Sequence, residues 1–461
     1  MAGASVALLL AACGGGGGGG GSLAPASYTV GGTLTGLAAK ESVTLANNGS
    51  DALTLSNSGS FTFSQPLTQG GNYSVAVSLQ PVGQKCVVSN GNGSGASANV
   101  ATVQVTCGNL PQYAYVVNNG DQTIIQYSIS ASGTLTPLSP STIATGNSPR
   151  SVTIDPSHHY VYVANLNDDT VSQYVIQQDG TLASNSPATV ATGRGPWAVE
   201  FNPQGRFAYV VNSEEATISQ YSVGANGTLE ALAITPVATG IGPWNITLSP
   251  NGDYAYVSNY GITPATPVNS TYIGNTVSQY AIAPDTGELS PLTPATVASG
   301  TFSGGDAVDA TNSFAYSTSI GDNTVWQYSI GSRGALTPLT PSFVSAGTEP
   351  DYIAIHPNNK YAYVVNFNNP SSAIGPGSIS QYDIGTNGQL TPMANPSVPA
   401  GDGAGWLAFD TFGQFLYVAN SNDGTVSQYS IGSDGSLSSL GVVSAGASVN
   451  TFEIAVTYIG P

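Results

Sequence analysis

Apolar and polar residues alternate in short runs along almost the whole chain, and clusters of Gly, Asn, Ser and Pro separate the runs. A period of two marks β-strands, and the separators are turn formers. Between 24 and 108 the runs are 28–37, 43–46, 52–55, 60–63, 73–79, 85–89 and 101–107. Seven short strands in so small a segment predict an immunoglobulin-like β-sandwich, suited to a spacer or adhesive role.

From Pro111 onward the chain repeats itself. Gln-Tyr recurs at 126–127, 173–174, 220–221, 279–280, 327–328, 381–382 and 428–429, at intervals of 47, 47, 59, 48, 54 and 47 residues. Each pair is followed by a glycine (Gly133, Gly180, Gly227, Gly287, Gly334, Gly388, Gly435) and, two residues later, by a leucine, from Leu135 to Leu437. A period near 50 with four strand-like runs per unit predicts a β-propeller of seven blades. The second unit shows the plan: strands at 151–155, 160–165 and 170–176, a hairpin turn at Asp179-Gly180, and an outer strand at 188–192. The first unit opens at 113–118 without an innermost strand before it, and the last run, 452–457, is an innermost strand with nothing after it. The C-terminal run is therefore expected to complete the first blade, which leaves no free sheet edge. The expected fold is all-β: a seven-bladed propeller over 109–461, closed by its C-terminal strand and preceded by the sandwich over 24–108.

Composition sharpens this picture. Only 7% of the residues are charged; 7 Lys and Arg stand against 25 Asp and Glu, for a net charge of -18. Beyond position 108 the basic residues are Arg150, Arg194, Arg206, Arg333 and Lys360, too scattered for a basic patch, so nucleic acid is excluded as a partner. With 57 Gly and 29 Pro among few helix formers, strand and turn are expected throughout.

The N-terminus reads as an address. Residues 6–12 form an apolar run too short to span a bilayer, ending Leu10-Ala11-Ala12-Cys13. That string resembles the lipobox of bacterial lipoproteins, which implies a signal peptide over 1–12, lipid on Cys13 and attachment to a membrane. Gly14 after the cysteine implies the outer membrane of the cell envelope. The basic residues that usually open such a signal are missing here. Gly14 to Gly21 are all glycine, so 13–23 is expected to be a flexible tether with a reach of about 15 Å. The two remaining cysteines, Cys86 and Cys107, lie in strands of one small segment, and an exported chain is expected to pair them, for about 3 kcal/mol.

Tyr162-Val163-Ala164-Asn165, with Thr170-Val171 and Gln173-Tyr174 after it, resembles the Tyr-Val-Thr-Asn propeller repeats. With Pro149-Arg150 before the innermost strand, 109–461 resembles the lactonase-like seven-bladed propellers, which include 6-phosphogluconolactonases and carboxymuconate cycloisomerases. Active members often read Pro-Arg-His there and Asn-Glu after the second strand. Arg150 matches, but Ser151 stands in the His slot, and Leu166 and Ser213 stand in the Glu slots, with Glu214 one residue further on. A phosphorylated substrate would want cations, and Arg150 and Arg194 are the only suppliers near that face.

Two units are longer than the rest, both by insertions after the second strand, at 260–275 and 367–378; they carry Tyr260, Tyr272 and Phe367. Loops that break a tight repeat are where function is expected. Trp197, Trp244 and Trp406 stand where chain enters an innermost strand on the same face, among Arg150, Asn245, Asp306, Asp351, Tyr352 and Glu453. Such a rim suits a sugar or other small polar ligand, and packing between blades is the plainer role for its aromatics. His158-His159 and the turns Asn167-Asp168-Asp169 and Asn422-Asp423-Gly424 lack convergent ligand spacing, so no metal is expected, and no cofactor motif occurs. The leading expectation is a lipid-anchored envelope protein whose propeller face binds a small molecule, glycan or protein without chemistry. The alternative is a lactone hydrolase in which Arg150 holds substrate or an oxyanion and Asp351, Asp306 or Glu453 serves as base. A purely structural scaffold is the third.

Overall fold

A computed structural model describes residues 26–233, 236–261, 274–368, 376–446 and 450–460. Cys13, the glycine run and Tyr272 lie outside them. Among the described residues the chain has no helix. It divides into two compact units at Gly108 and Asn109.

The first unit is a sandwich. One sheet runs Gly59–Thr62, Val30–Thr35, Val100–Asn109, Gln84–Ser89, with the two middle strands parallel; the other runs Asp51–Leu55, Val43–Asn47, Tyr73–Leu79, Asn92–Gly93. Alternation places Val43 and Leu45 inward, against Val30, Leu34, Phe61, Val75, Val103 and Val105. A disulfide joins Cys86 to Cys107 across two neighbouring strands.

The second unit is a ring of seven sheets. The first-entered sheet is completed by Thr451–Tyr458, which pairs antiparallel with Gln112–Asn118 and so fastens the C-terminus to the start of the ring. In each blade the second strand is buried on both faces (Tyr160–Asn165 is an example), because a sheet wedged between two others has no wet side. The outer strand is mostly exposed. In the second blade it is Leu182–Ala191, longer than its apolar run suggested.

The repeated Gln-Tyr, Gly and Leu are one device seen three ways. In every blade the Gln amide oxygen accepts the backbone N–H of the next blade's Leu, at 2.5–2.9 Å. The Tyr beside it donates its hydroxyl to a backbone carbonyl at the outer strand of the preceding blade, at 2.6–2.8 Å. A second Tyr, on the second strand, donates to the carbonyl of the next blade's Gly, at 2.5–2.9 Å. The glycine is required twice over. Gly180, for instance, has φ +82°, and a Cβ there would lie 2.0 Å from the Tyr113 ring. Three side-chain bonds per junction, two of them buried and the third half-buried at the outer strand, hold blade to blade where no backbone ladder can.

Candidate functional site

The seven innermost strands run side by side around the axis, and their register sorts residues into layers. In most of them the pairing slips just after the first residue: between Pro149 and Ser151, Pro196 and Ala198, Pro243 and Asn245, Pro350 and Tyr352, and Ala404 and Trp406. A bulge of this kind re-aims the extra side chain. The residues so released are Arg150, Trp197, Trp244, Asp351 and Gly405, and all five line one cavity of about 180 Å³ with Ser151, Phe367, Trp406, Phe452 and Glu453 among its other walls. An adjoining cavity of about 210 Å³ shares Trp244, Asp351 and Phe367 and adds Tyr260, Ile320 and Glu349.

Arg150 is the only cation in these walls. Its guanidinium carbon lies 4.7 Å from the Trp197 ring centre and 4.4 Å from that of Phe452. No ion pair or hydrogen bond holds it among the described residues, and its buried Nε has no partner. Burial lowers its proton affinity to a pKa of about 10, so it stays charged at neutral pH. Two π faces thus fix the plane of the guanidinium while leaving its N–H groups to a ligand. Asp351 faces the same cavity. Burial, with Glu349 nearby, pushes its carboxyl up to about 7. Glu453 accepts the Val152 N–H at 3.2 Å; burial, and then neighbouring Glu200, raise it well above the ordinary carboxylate range.

The aromatic residues form two groups. Trp197 packs at a tilt against Trp244 (centroids 4.3 Å apart), Trp244 stacks on Tyr260 (4.7 Å), and Tyr260 packs at a tilt against Phe302 (5.2 Å), an arc over three blades. Tyr352 and Trp406 stack at 3.7 Å. Trp406 is a wall of the mouth and, with Tyr352 and Asn245, also lines a third cavity of about 330 Å³ further along the innermost strands, on the ring axis.

Asp306 stands apart from both. Its pairing partner is Ser317, in the register position where Val152, Val199, Ile246, Ile353, Leu407 and Ile454 sit in the other blades. It is 4% exposed, and neither carboxylate oxygen has a hydrogen bond of ordinary geometry among the described residues. Burial lifts its carboxyl to about 7, with Ser317 and Ser258 close enough to temper the rise. It lines none of the three cavities described around the innermost strands. A raised folded value means that the stability this group contributes is present below its ordinary pKa of 3.8 and drains away as pH rises through about 7. Asp306→Asn is expected to flatten this dependence and to gain on the order of 2 kcal/mol over wild type at pH 8. Urea melts at pH 5 and pH 8 check it; parallel pH dependence in the two proteins would refute it.

The histidines and acidic turns make hydrogen bonds within the ring. His158 Nδ1 meets the Thr457 hydroxyl at 3.0 Å, and His356 Nε2 meets the Gly413 carbonyl at 2.7 Å. Asp168 and Asp423 accept the backbone N–H groups of Asn147 and Asp402. Arg194 is exposed and paired with Glu215 at 3.1 Å, away from the mouth. Sequence reasoning missed Phe452, Gly405, Glu349 and Glu200. The first two were findable, since they hold the register position of Arg150.

Comparison with known proteins agrees with the geometry. The chain resembles a Bacteroides fragilis protein provisionally assigned as a 6-phosphogluconolactonase, at 17% identity, TM-score 0.63, over 75% of this chain and 98% of that one. It also resembles the periplasmic gluconolactonase PpgL of Pseudomonas aeruginosa, at 18% identity, TM-score 0.60, over 76% and 99%. At such identities the likeness is one of fold. No curated protein matches in sequence. The family model "Lactonase, 7-bladed beta-propeller" matches residues 52–302 and 314–453, well over half of the chain, and with the ring closure and the arginine at its mouth this settles membership: the chain belongs to the lactonase family of seven-bladed β-propellers.

Proposed function

We propose that this protein hydrolyses an unphosphorylated lactone, the cyclic ester of a sugar acid, at the mouth of its propeller. The observation that carries the reading is Arg150: a half-buried guanidinium, held by rings alone, sharing one small cavity with a carboxyl whose pKa lies near 7. In the reaction Asp351, ionised, takes a proton from water as the oxygen attacks the lactone carbonyl carbon. Negative charge then develops on the carbonyl oxygen, where Arg150 donates hydrogen bonds. The carbon–oxygen bond of the ring breaks, and protonated Asp351 returns its proton to the leaving alkoxide. The product is the open hydroxy acid. The arc of Trp197, Trp244 and Tyr260 supplies flat apolar faces for the C–H side of a sugar ring.

Charge selects against a phosphate. Arg150 is the one cation in these walls, where Glu349 and an ionised Asp351 stand with it, and a dianion would enter at an electrostatic cost. The leading alternative, binding without chemistry, rests on the same aromatic arc. Lipid on Cys13 would place the reaction at the cell envelope.

The test is hydrolysis of glucono-1,5-lactone and of its 6-phosphate by the purified protein, followed by acid release. The expected result is turnover of the first at least about tenfold faster than of the second, with a rate that rises through pH 7 as Asp351 loses its proton. Spontaneous opening grows with pH too, so enzyme-free rates are subtracted. Saturable binding with no turnover would establish the non-catalytic reading instead.

A further inference from the structure

Below the Tyr352–Trp406 stack, the cavity on the ring axis is walled by Thr153, Glu200, Asn245, Thr247 and Glu453 together with aliphatic residues of the innermost strands. No cationic side chain lines it. Glu200 is close enough to Glu453 to raise its proton affinity. Asn245 is only 5% exposed, yet its side chain makes no hydrogen bond among the described residues. An amide with no partner costs about 1–3 kcal/mol where water does not reach it, and Glu200 and Glu453 bring two carboxyl groups to the same void. Thr247 presents a further hydroxyl with no partner among the described residues. These oxygen donors thus come from three blades and line one void, whose other walls are aliphatic or aromatic apart from Thr153, whose hydroxyl donates to the Val199 carbonyl.

We propose that this central cavity is a site for a hard divalent cation of the calcium class, held by the carboxylates of Glu200 and Glu453 and the amide oxygen of Asn245. Carboxylate, amide and hydroxyl oxygens are the donors such ions take, with water completing the shell. No group of three acidic, His or Cys residues occurs among the described residues, so the site depends on Asn245 as much as on charge. The ion cancels the repulsion between Glu200 and Glu453 and ties the blades that begin at Pro196 and Pro243 to the C-terminal strand across the axis. The rival occupant is a proton shared between the two carboxyls.

Terbium separates the two, because a lanthanide takes calcium's donors and is excited by a nearby indole; Trp406 is in the cavity wall. The full-length protein is stripped with chelator, titrated with Tb³⁺ at pH 7 and read by tryptophan-sensitised emission. The expected result is saturable emission that Ca²⁺ displaces, with affinity at least about tenfold weaker in Glu200→Gln and tighter in Asn245→Asp, since affinity follows ligand charge. Ca²⁺ is also expected to raise the thermal midpoint of wild type and of Asn245→Asp, and by less in Glu200→Gln. Emission that does not saturate, or that is the same in all three proteins, overturns the proposal. So does an Asn245→Asp protein whose midpoint falls and does not recover with Ca²⁺, the behaviour of a third acid added to a proton-sharing pair. None of these readouts involves lactone turnover.

Discussion

Arg150→Ala is expected to cut kcat/KM for lactone opening by about 10²–10³, the loss typical when one donor to a developing oxyanion is removed. The fold should survive. The guanidinium lies between Trp197 and Phe452 without an ion pair, so its removal forfeits cation–π attraction of about 1–2 kcal/mol but also relieves a buried charge. The thermal midpoint is expected to stay within a few degrees of wild type. Arg150→Lys should rescue little. An ammonium keeps the charge but has no plane to lie between two rings and no fork to present to an oxygen. How the loss divides is informative. A fall confined to kcat means that Arg150 acts in the transition state, whereas a rise in KM alone means that it only binds. An Arg150→Ala enzyme keeping more than about a third of wild-type activity would remove this residue from the chemistry and the proposed reaction with it.

Much of this was legible before any coordinates. The period of the Gln-Tyr pairs predicts seven blades, and the orphan run at the C-terminus predicts the closure. These signals are strong because a ring uses each contact seven times, so its packing rules are written into the sequence as repeats. Why Gln, Tyr, Gly and Leu recur together was not legible. The reason is a bond from Gln173 to Leu229, 56 residues away, and no local propensity expresses it. The site was harder for the same reason in reverse. Arg150, Asp351, Trp197, Trp244 and Trp406 could be placed at the mouth because each opens an innermost strand. Asp306 belongs to one too, yet it lies two register positions beyond Arg150, among the residues that face neighbouring sheets, and only pairing with Ser317 reveals this. Function departs from the repeat, so it is found where one copy differs from six others. Those differences acquire meaning only once the ring fixes which positions are equivalent.

Truncation after Asn450 is expected to abolish the folded propeller. The lost segment supplies the innermost strand of the blade that contains Gln112–Asn118, and with it the closing ladder from Tyr458 at Gln112 to Thr451 at Asn118. Its removal strips Ile454, 1% exposed in the intact ring, from a cluster with Val116, Tyr417 and Val426. It also leaves the buried strand Gln112–Asn118 as a bare apolar edge, and such edges template aggregation. Loss of Ile454 alone would cost about 2–5 kcal/mol as a large-to-small change, and the unpaired ladder adds to it. Total stability in a domain is of the order of 5–15 kcal/mol, so the sum is ruinous. The segment carries Phe452 and Glu453 as well, so the same cut removes one of the two rings on Arg150 and a wall of both cavities. The expected outcome is a protein that aggregates, or that binds hydrophobic dye and melts without cooperativity. A truncated chain that stays monomeric and melts sharply within a few degrees of the full chain would show that the ring does not need this strand. Closure and site would then be separable. As the structure stands they are not: the strand that locks the toroid is also the one that presents the residues opposite Arg150.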